Sequence, residues 1–208
     1  MLDDVLQKLL WLGNDCFLYT GPPVIYFNPY EFHFVRPADI ILVEHEHFHH
    51  LSWPDIQKVW RPGTAIVTDR SAARHIKMET IVLAPGESVT VKDTLIEAVP
   101  AYNLDTSFHP KSKGYLGFIV TVEGLRIYHA GDTDFIPEMW DLKVDIALLP
   151  ISGLHKMDAS QAAEAALVLR PQVAIPMDYQ DIRGDQADPE TFRALLAGKV
   201  RVEILARS

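Results

Sequence analysis

The chain has 208 residues, 48% of them hydrophobic, and a formal net charge of −9. That length and apolar content suit one globular domain, 1–208, with a substantial core, and the acidic balance excludes a nucleic-acid or anionic-membrane partner that binds through a general basic footprint. The single cysteine, Cys16, excludes an intrachain disulfide and any multi-cysteine metal site, so a bound metal must rely on nitrogen and oxygen ligands.

Acidic residues at Asp3 and Asp4, where a signal peptide would carry positive charge, and the absence of a membrane-length apolar run predict a soluble, cytoplasmic protein. Apolar or alternating runs then predict strands at 16–20, 24–27, 40–43, 64–68, 80–83, 88–91, 95–99, 116–122, 125–129, 146–149, 173–175 and 200–205. Glu123-Gly124 should close a hairpin between two of them. Helices are fewer and gather towards the C-terminus. Ser52-Trp53-Pro54-Asp55 reads as a capping-box variant opening a helix over Trp53–Val59. Asp158-Ala159-Ser160-Gln161 opens a second helix that ends before Arg170-Pro171, and a third fits Pro189–Leu196, stopped by Gly198. Early antiparallel-type strands followed by strand and helix units predict an α/β layered domain, with two sheets face to face and helices outside.

The chemistry collects at strand ends. Ile40–Val43 runs into His45-Glu46-His47-Phe48-His49-His50, four imidazoles in six residues. Neutral imidazole is the commonest protein ligand for zinc-like metals, and a strand end that aims several at one spot fixes their orientation in advance. Three more strands end in the same way. One leads to Tyr102, Asn103 and a loop with His109, one to His129-Ala130-Gly131-Asp132, and one to Met177-Asp178. Ligand types placed just beyond strand ends converge on one edge of a layered sheet. Five imidazoles and two carboxylates suit two divalent ions with a place left for water, most simply zinc, with manganese or iron as alternatives.

These runs resemble a known family. The stretch from Ile41 to Ser52 is similar to the His-x-His-x-Asp-His signature of the metallo-β-lactamase fold, and the runs around Tyr102, His109 and Asp132 resemble later motifs of its L-ascorbate-6-phosphate lactonase-like branch. The resemblance spans Trp11 to Tyr179 and implies a four-layer αβ/βα sandwich with a dinuclear centre. Carried over, it implies that His45, His47 and His109 hold one metal, that Asp132 bridges, and that His50 holds the other.

Two ligand positions depart from the pattern: His49 stands where the family has aspartate, and Asp178 where it has histidine. Read as one exchange, they leave His49, His50 and Asp178 to bind the second metal. The rival reading is that Asp178 is too short to reach, so that only the first metal binds firmly. Two supporting positions also depart, with Asn14 where the branch often has histidine and Asn28 where the fold usually has aspartate. Asn28 can accept a hydrogen bond but adds no charge, which predicts weaker metal retention.

The resemblance implies a metal-dependent hydrolase in which a metal-held hydroxide attacks a small, anionic ester, lactone or phosphoester, with Asp132 positioning the metals and accepting the water's proton. Tyr102, Asn103, Lys111, His155 and Tyr179 are the candidate substrate contacts. His129 reads as a satisfied core histidine, and Glu44 and Glu46 as groups behind the ligands. A noncatalytic metal-binding or ligand-sensing protein derived from this fold is the alternative, because it explains the altered ligands equally well.

Overall fold

Runs of wholly apolar residues, rather than strict alternation, mark strands covered on both faces, and here they form the middle of two sheets. The computed structural model describes residues 1–33, 35–105, 107–179 and 187–208. Helix α1 (Leu2–Lys8) leads into β1 (Leu9–Gly13), β2 (Cys16–Tyr19), β3 (Ile25–Phe27) and β4 (Ile40–Val43). Helix α2 (Trp53–Val59), β5 (Ala65–Thr68), helix α3 (Arg70–Ala73) and β6 (Ile81–Val82) follow, and the six strands form one sheet in sequence order. The second sheet contains β7 (Ser88–Val91), β8 (Thr94–Pro100), β9 (Leu116–Val122), β10 (Leu125–His129), β11 (Ile146–Pro150), β12 (Val173–Met177) and β13 (Arg201–Val202). Helix α4 (Ala159–Leu169) lies between β11 and β12, and α5 (Pro189–Leu195) between β12 and β13.

Both sheets are mixed in the same way. The first is antiparallel from β1 to β3 and parallel from β3 to β6. The second is antiparallel from β7 to β10 and parallel from β10 to β13. Successive side chains on a strand take opposite faces. Phe17, Tyr19, Ile25, Phe27, Ile40 and Leu42 accordingly enter one core with Ile96, Phe118, Val120 and Leu148 of the other sheet. Their neighbours Leu18, Tyr26, Ile41 and Val43 enter a second core against Ile56 and Val59 of α2. The result is the layered α/β sandwich expected from the sequence.

Helix α2 has the predicted bounds, but Ser52 does not cap it: its hydroxyl donates to Asp55 Oδ2 at 2.6 Å instead of accepting a backbone N–H. Asp158 does form the reciprocal capping box with Gln161 at the start of α4. Glu123 and Gly124 both have positive φ, the conformation a two-residue hairpin needs. The run at 200–205 shortens to Arg201–Val202, while α1, α3 and β1 are additions to the predicted set. Among the described residues, no helix is long and apolar enough to cross a membrane.

Candidate metal centre

The parallel strands of both sheets deliver their C-terminal ends to one place. Leaving β4, the chain presents Glu44 to His50; β10 presents Asp132; β11 presents His155 and Lys156; β12 presents Asp178; and the loop after β8 presents Asn103 and His109. Gly131 makes the turn to Asp132, with φ +70, and a Cβ there would lie 2.7 Å from Glu44 Oε2, so both conformation and space call for glycine.

Two ligand clusters meet at Asp132. The first contains His45, His47, His109 and Asp132, and the second His49, His50 and Asp132. In the first, His45 Nε2 lies 2.9 Å from His47 Nδ1, which lies 3.3 Å from His109 Nε2. Asp132 Oδ2 is 3.5 Å from His109 Nε2 and 3.9 Å from His45 Nε2. Atoms bound to one zinc at about 2.0–2.1 Å in a tetrahedron sit roughly 3.3–3.4 Å from each other. The donor set therefore fits a divalent ion with modest adjustment. Burial, together with the charge of His50, holds His45 and His47 below the usual imidazole range, and burial brings His109 to about 4. All three are thus in the neutral form that ligates.

Supporting residues fix these rings. His109 Nδ1 donates to Asn103 Oδ1 at 3.0 Å, which leaves the Nε2 lone pair facing the cluster. Asn103 is itself anchored, donating to Asp134 Oδ1 at 2.9 Å and to the His155 carbonyl at 2.8 Å. Asn103, expected as a substrate contact, instead orients a ligand. Tyr115 stacks on His45 with ring centroids 4.7 Å apart.

Behind the second cluster lies a buried charged network. Asp15 Oδ2 is 2.7 Å from His50 Nδ1, and Asp132 Oδ2 is 3.1 Å from His50 Nε2. These contacts are close but poorly aimed, and neither nitrogen completes a well-oriented hydrogen bond. Burial opposes charge on His50, but the facing carboxylates of Asp15 and Asp132 outweigh it and raise its pKa. Asn28 donates to Glu44 Oε2 at 2.7 Å and to Asp15 Oδ2 at 3.2 Å. The negative charge missing at position 28 is thus supplied by Asp15, a residue the sequence reading passed over. His129 is fully buried, with Nδ1 2.6 Å from Glu44 Oε1 and Nε2 2.7 Å from the Asp15 carbonyl, the satisfied core histidine expected.

Asp178, expected as a ligand of the second metal, falls in neither cluster. Its Oδ2 accepts from Lys156 Nζ, which also lies 2.6 Å from Asp132 Oδ1. Burial opposes the charge of Asp132, yet the Lys156 ammonium and His50 hold its carboxyl well below the ordinary range. Lys156 carried no sequence signal, because a lone lysine in a turn reads as a surface charge.

The remaining candidates spread outwards. Tyr102 donates to Glu138 Oε2 at 2.9 Å, and Lys111 Nζ pairs with Glu138 Oε1 at 2.6 Å, so this lysine's charge is already matched. Both line a cavity of about 280 Å³ that shares Tyr115 with the cluster. His155 stacks on Phe108 at 4.3 Å. Tyr179 stacks on Trp11 at 4.7 Å and its hydroxyl donates to the Leu205 carbonyl, so it serves packing. Exposed Phe48 and Phe108 flank the half-buried His47 and His49, forming an apolar rim.

Two facing mixed sheets with a histidine and aspartate cluster at the ends of their parallel strands define a metallo-β-lactamase fold. Residues 8–178 match the family model described as a β-lactamase superfamily domain. A UPF0173 metal-dependent hydrolase of Thermoplasma acidophilum is 33% identical, covering 95% of this chain and 94% of that protein. One from Thermococcus kodakarensis is also 33% identical, with 96% of each chain covered. Among solved structures, a protein from Parabacteroides distasonis named for metal-dependent hydrolysis superposes with a TM-score of 0.86 at 34% identity, covering 95% of this chain and 91% of its own. Igni18, a metallo hydrolase of Ignicoccus hospitalis, has a TM-score of 0.80 at 23% identity, covers 96% and 95% of the two chains, and shares the fold. The chain belongs to the UPF0173 family of the β-lactamase superfamily.

Proposed function

We propose that this chain is a metal-dependent hydrolase acting on a small, anionic ester, lactone or phosphoester. The observation that carries the reading is the convergence of His45 Nε2, His47 Nδ1, His109 Nε2 and Asp132 Oδ2 at the mutual spacing of zinc ligands. Zinc is the first expectation, because three imidazoles and one carboxylate suit it, with manganese or iron as the alternatives. A divalent ion bound there supplies a Lewis acid and lowers the pKa of an attached water towards neutrality.

The protein's own residues do the rest. Asn103 holds His109 in the ligating tautomer, and Tyr115 fixes the ring of His45. Lys156 keeps Asp132 ionised, which favours it as a ligand and makes it a weaker proton acceptor than the sequence reading expects. An anionic substrate fits the sum of charges: one divalent ion and the Lys156 ammonium against Asp132 and Asp178 leave a net positive site. The relatives named as metal-dependent hydrolases support the reaction class.

The test is to load the protein with zinc and assay ester, lactone and phosphodiester panels before and after chelation. Turnover that is lost with the metal and restored by it is the expected result. Metal binding without turnover of any panel would support the noncatalytic, ligand-sensing reading instead, which accounts for the residues at positions 49 and 178 equally well.

A further inference from the structure

We propose that the Lys156 ammonium is a built-in second cation: it replaces the second metal ion of the centre, so that the site is built for one ion. The proposal rests on the first cluster being a metal site and goes beyond it to the number of ions and the residue that sets it.

The geometry is specific. Lys156 lies in the turn between β11 and α4, with its side chain only 6% exposed. Its Nζ bridges two buried carboxylates from different strand ends, 2.6 Å from Asp132 Oδ1 and hydrogen-bonded to Asp178 Oδ2. Asp178 is held in place for this, with φ 60 and its backbone N–H donating to the Asn14 carbonyl at 3.0 Å. Two carboxylates brought together away from water need a cation or a shared proton between them. A second divalent ion could meet that need, but the ammonium already does.

The same contact removes ligands. With Asp178 engaged, a second ion would have His49 and His50 for itself and only a share of Asp132, whose Oδ2 also faces the first cluster. Among the described residues, the cluster of His49, His50 and Asp132 holds no further carboxylate for it. Charge points the same way. With Asp15 facing His50 and Glu44 facing His129, one divalent ion and one ammonium against Asp132 and Asp178 leave a single positive charge, and a second divalent ion would add further unbalanced charge to a buried site. His50, held between Asp15 and Asp132, then positions the bridging carboxylate.

The experiment is to load the native chain, Lys156→Met, Lys156→Arg and the Lys156→Met/Asp178→Ala double variant with excess zinc, desalt them, and measure zinc per chain. Methionine keeps the length of the side chain and removes its charge. The expected result is one more equivalent in Lys156→Met than in the native chain, no gain in Lys156→Arg, and loss of the gain in the double variant. The melting temperature of Lys156→Met should also rise more steeply with zinc than that of the native protein. Equal zinc content in native and Lys156→Met overturns the proposal. Should Lys156→Met fail to fold, a zinc-edge map of the native crystal decides: an ion bonded to Asp178 with Lys156 displaced overturns it, and Nζ between the two carboxylates supports it. A native chain without zinc on His45, His47 and His109 is a separate failure, of the hydrolytic reading, and does not alter the difference between native and Lys156→Met.

Discussion

The two sides of Asp132 solve the same problem differently. On one side, three imidazoles kept neutral by burial point their lone pairs at a single position and wait for a cation. On the other, Lys156 and Asp178 complete an ion pair within the chain. The first side is built for exchangeable charge and the second for permanent charge, and the shared carboxylate divides its two oxygens between them, Oδ2 to the histidines and Oδ1 to the lysine.

Removing the shared carboxylate should have the largest effect. Asp132→Asn takes a ligand from one side and a counter-ion from the other, and breaking a buried pair costs on the order of 3 kcal/mol or more. Thermal melts with chelator present should show that loss, and zinc binding should disappear from elemental analysis. A variant with native stability and native zinc content would dissolve the contrast between the two sides.

Asn103→Ala touches only the exchangeable side. It frees the His109 ring without removing a ligand, so zinc affinity should fall about 10–100-fold while the circular dichroism spectrum stays native. Unchanged affinity in a competition titration would mean that Asn103 does not orient His109.

Acidity separates the sides further. His109 has a pKa of about 4, with His45 and His47 also below the ordinary 6.5, so protons begin to compete with the metal at these rings only well below neutrality. The lowered values mean that the neutral, ligating form persists as pH falls, so zinc retention should stay level from pH 8 to about 5.5 and drop towards pH 4. Loss that begins at pH 6.5 or above in dialysis would contradict the burial argument. The smallest effect belongs outside both sides. Lys111→Ala breaks an exposed pair with Glu138 and should leave the melting temperature unchanged within error.

Much of this was legible in the sequence because its signals are local. The 45–50 run, the apolar strands that end in Asp132 and Asp178, and the capping box at Asp158 each lie within a few consecutive residues, and the structure brings His45, His47 and His109 together with Asp132. The first strand was hidden because Leu9–Gly13 is almost wholly buried and follows directly on a short helix, so neither alternation nor a breaker marks where it starts. The roles of Asp15, Asn103 and Lys156 were hidden for a different reason. Each depends on a partner far along the chain, His50, His109 and Asp178 respectively, and a lone lysine or asparagine in a loop looks the same whether it faces water or a buried carboxylate. Asn28 illustrates the limit well: the lost charge was visible at its own position, but its replacement by Asp15 was visible only in space.

The most direct test of the metal centre is an anomalous difference map collected at the zinc edge from crystals of the zinc-loaded native protein. The account predicts a peak within coordination distance of His45 Nε2, His47 Nδ1, His109 Nε2 and Asp132 Oδ2. A map with no peak among those four atoms would contradict it.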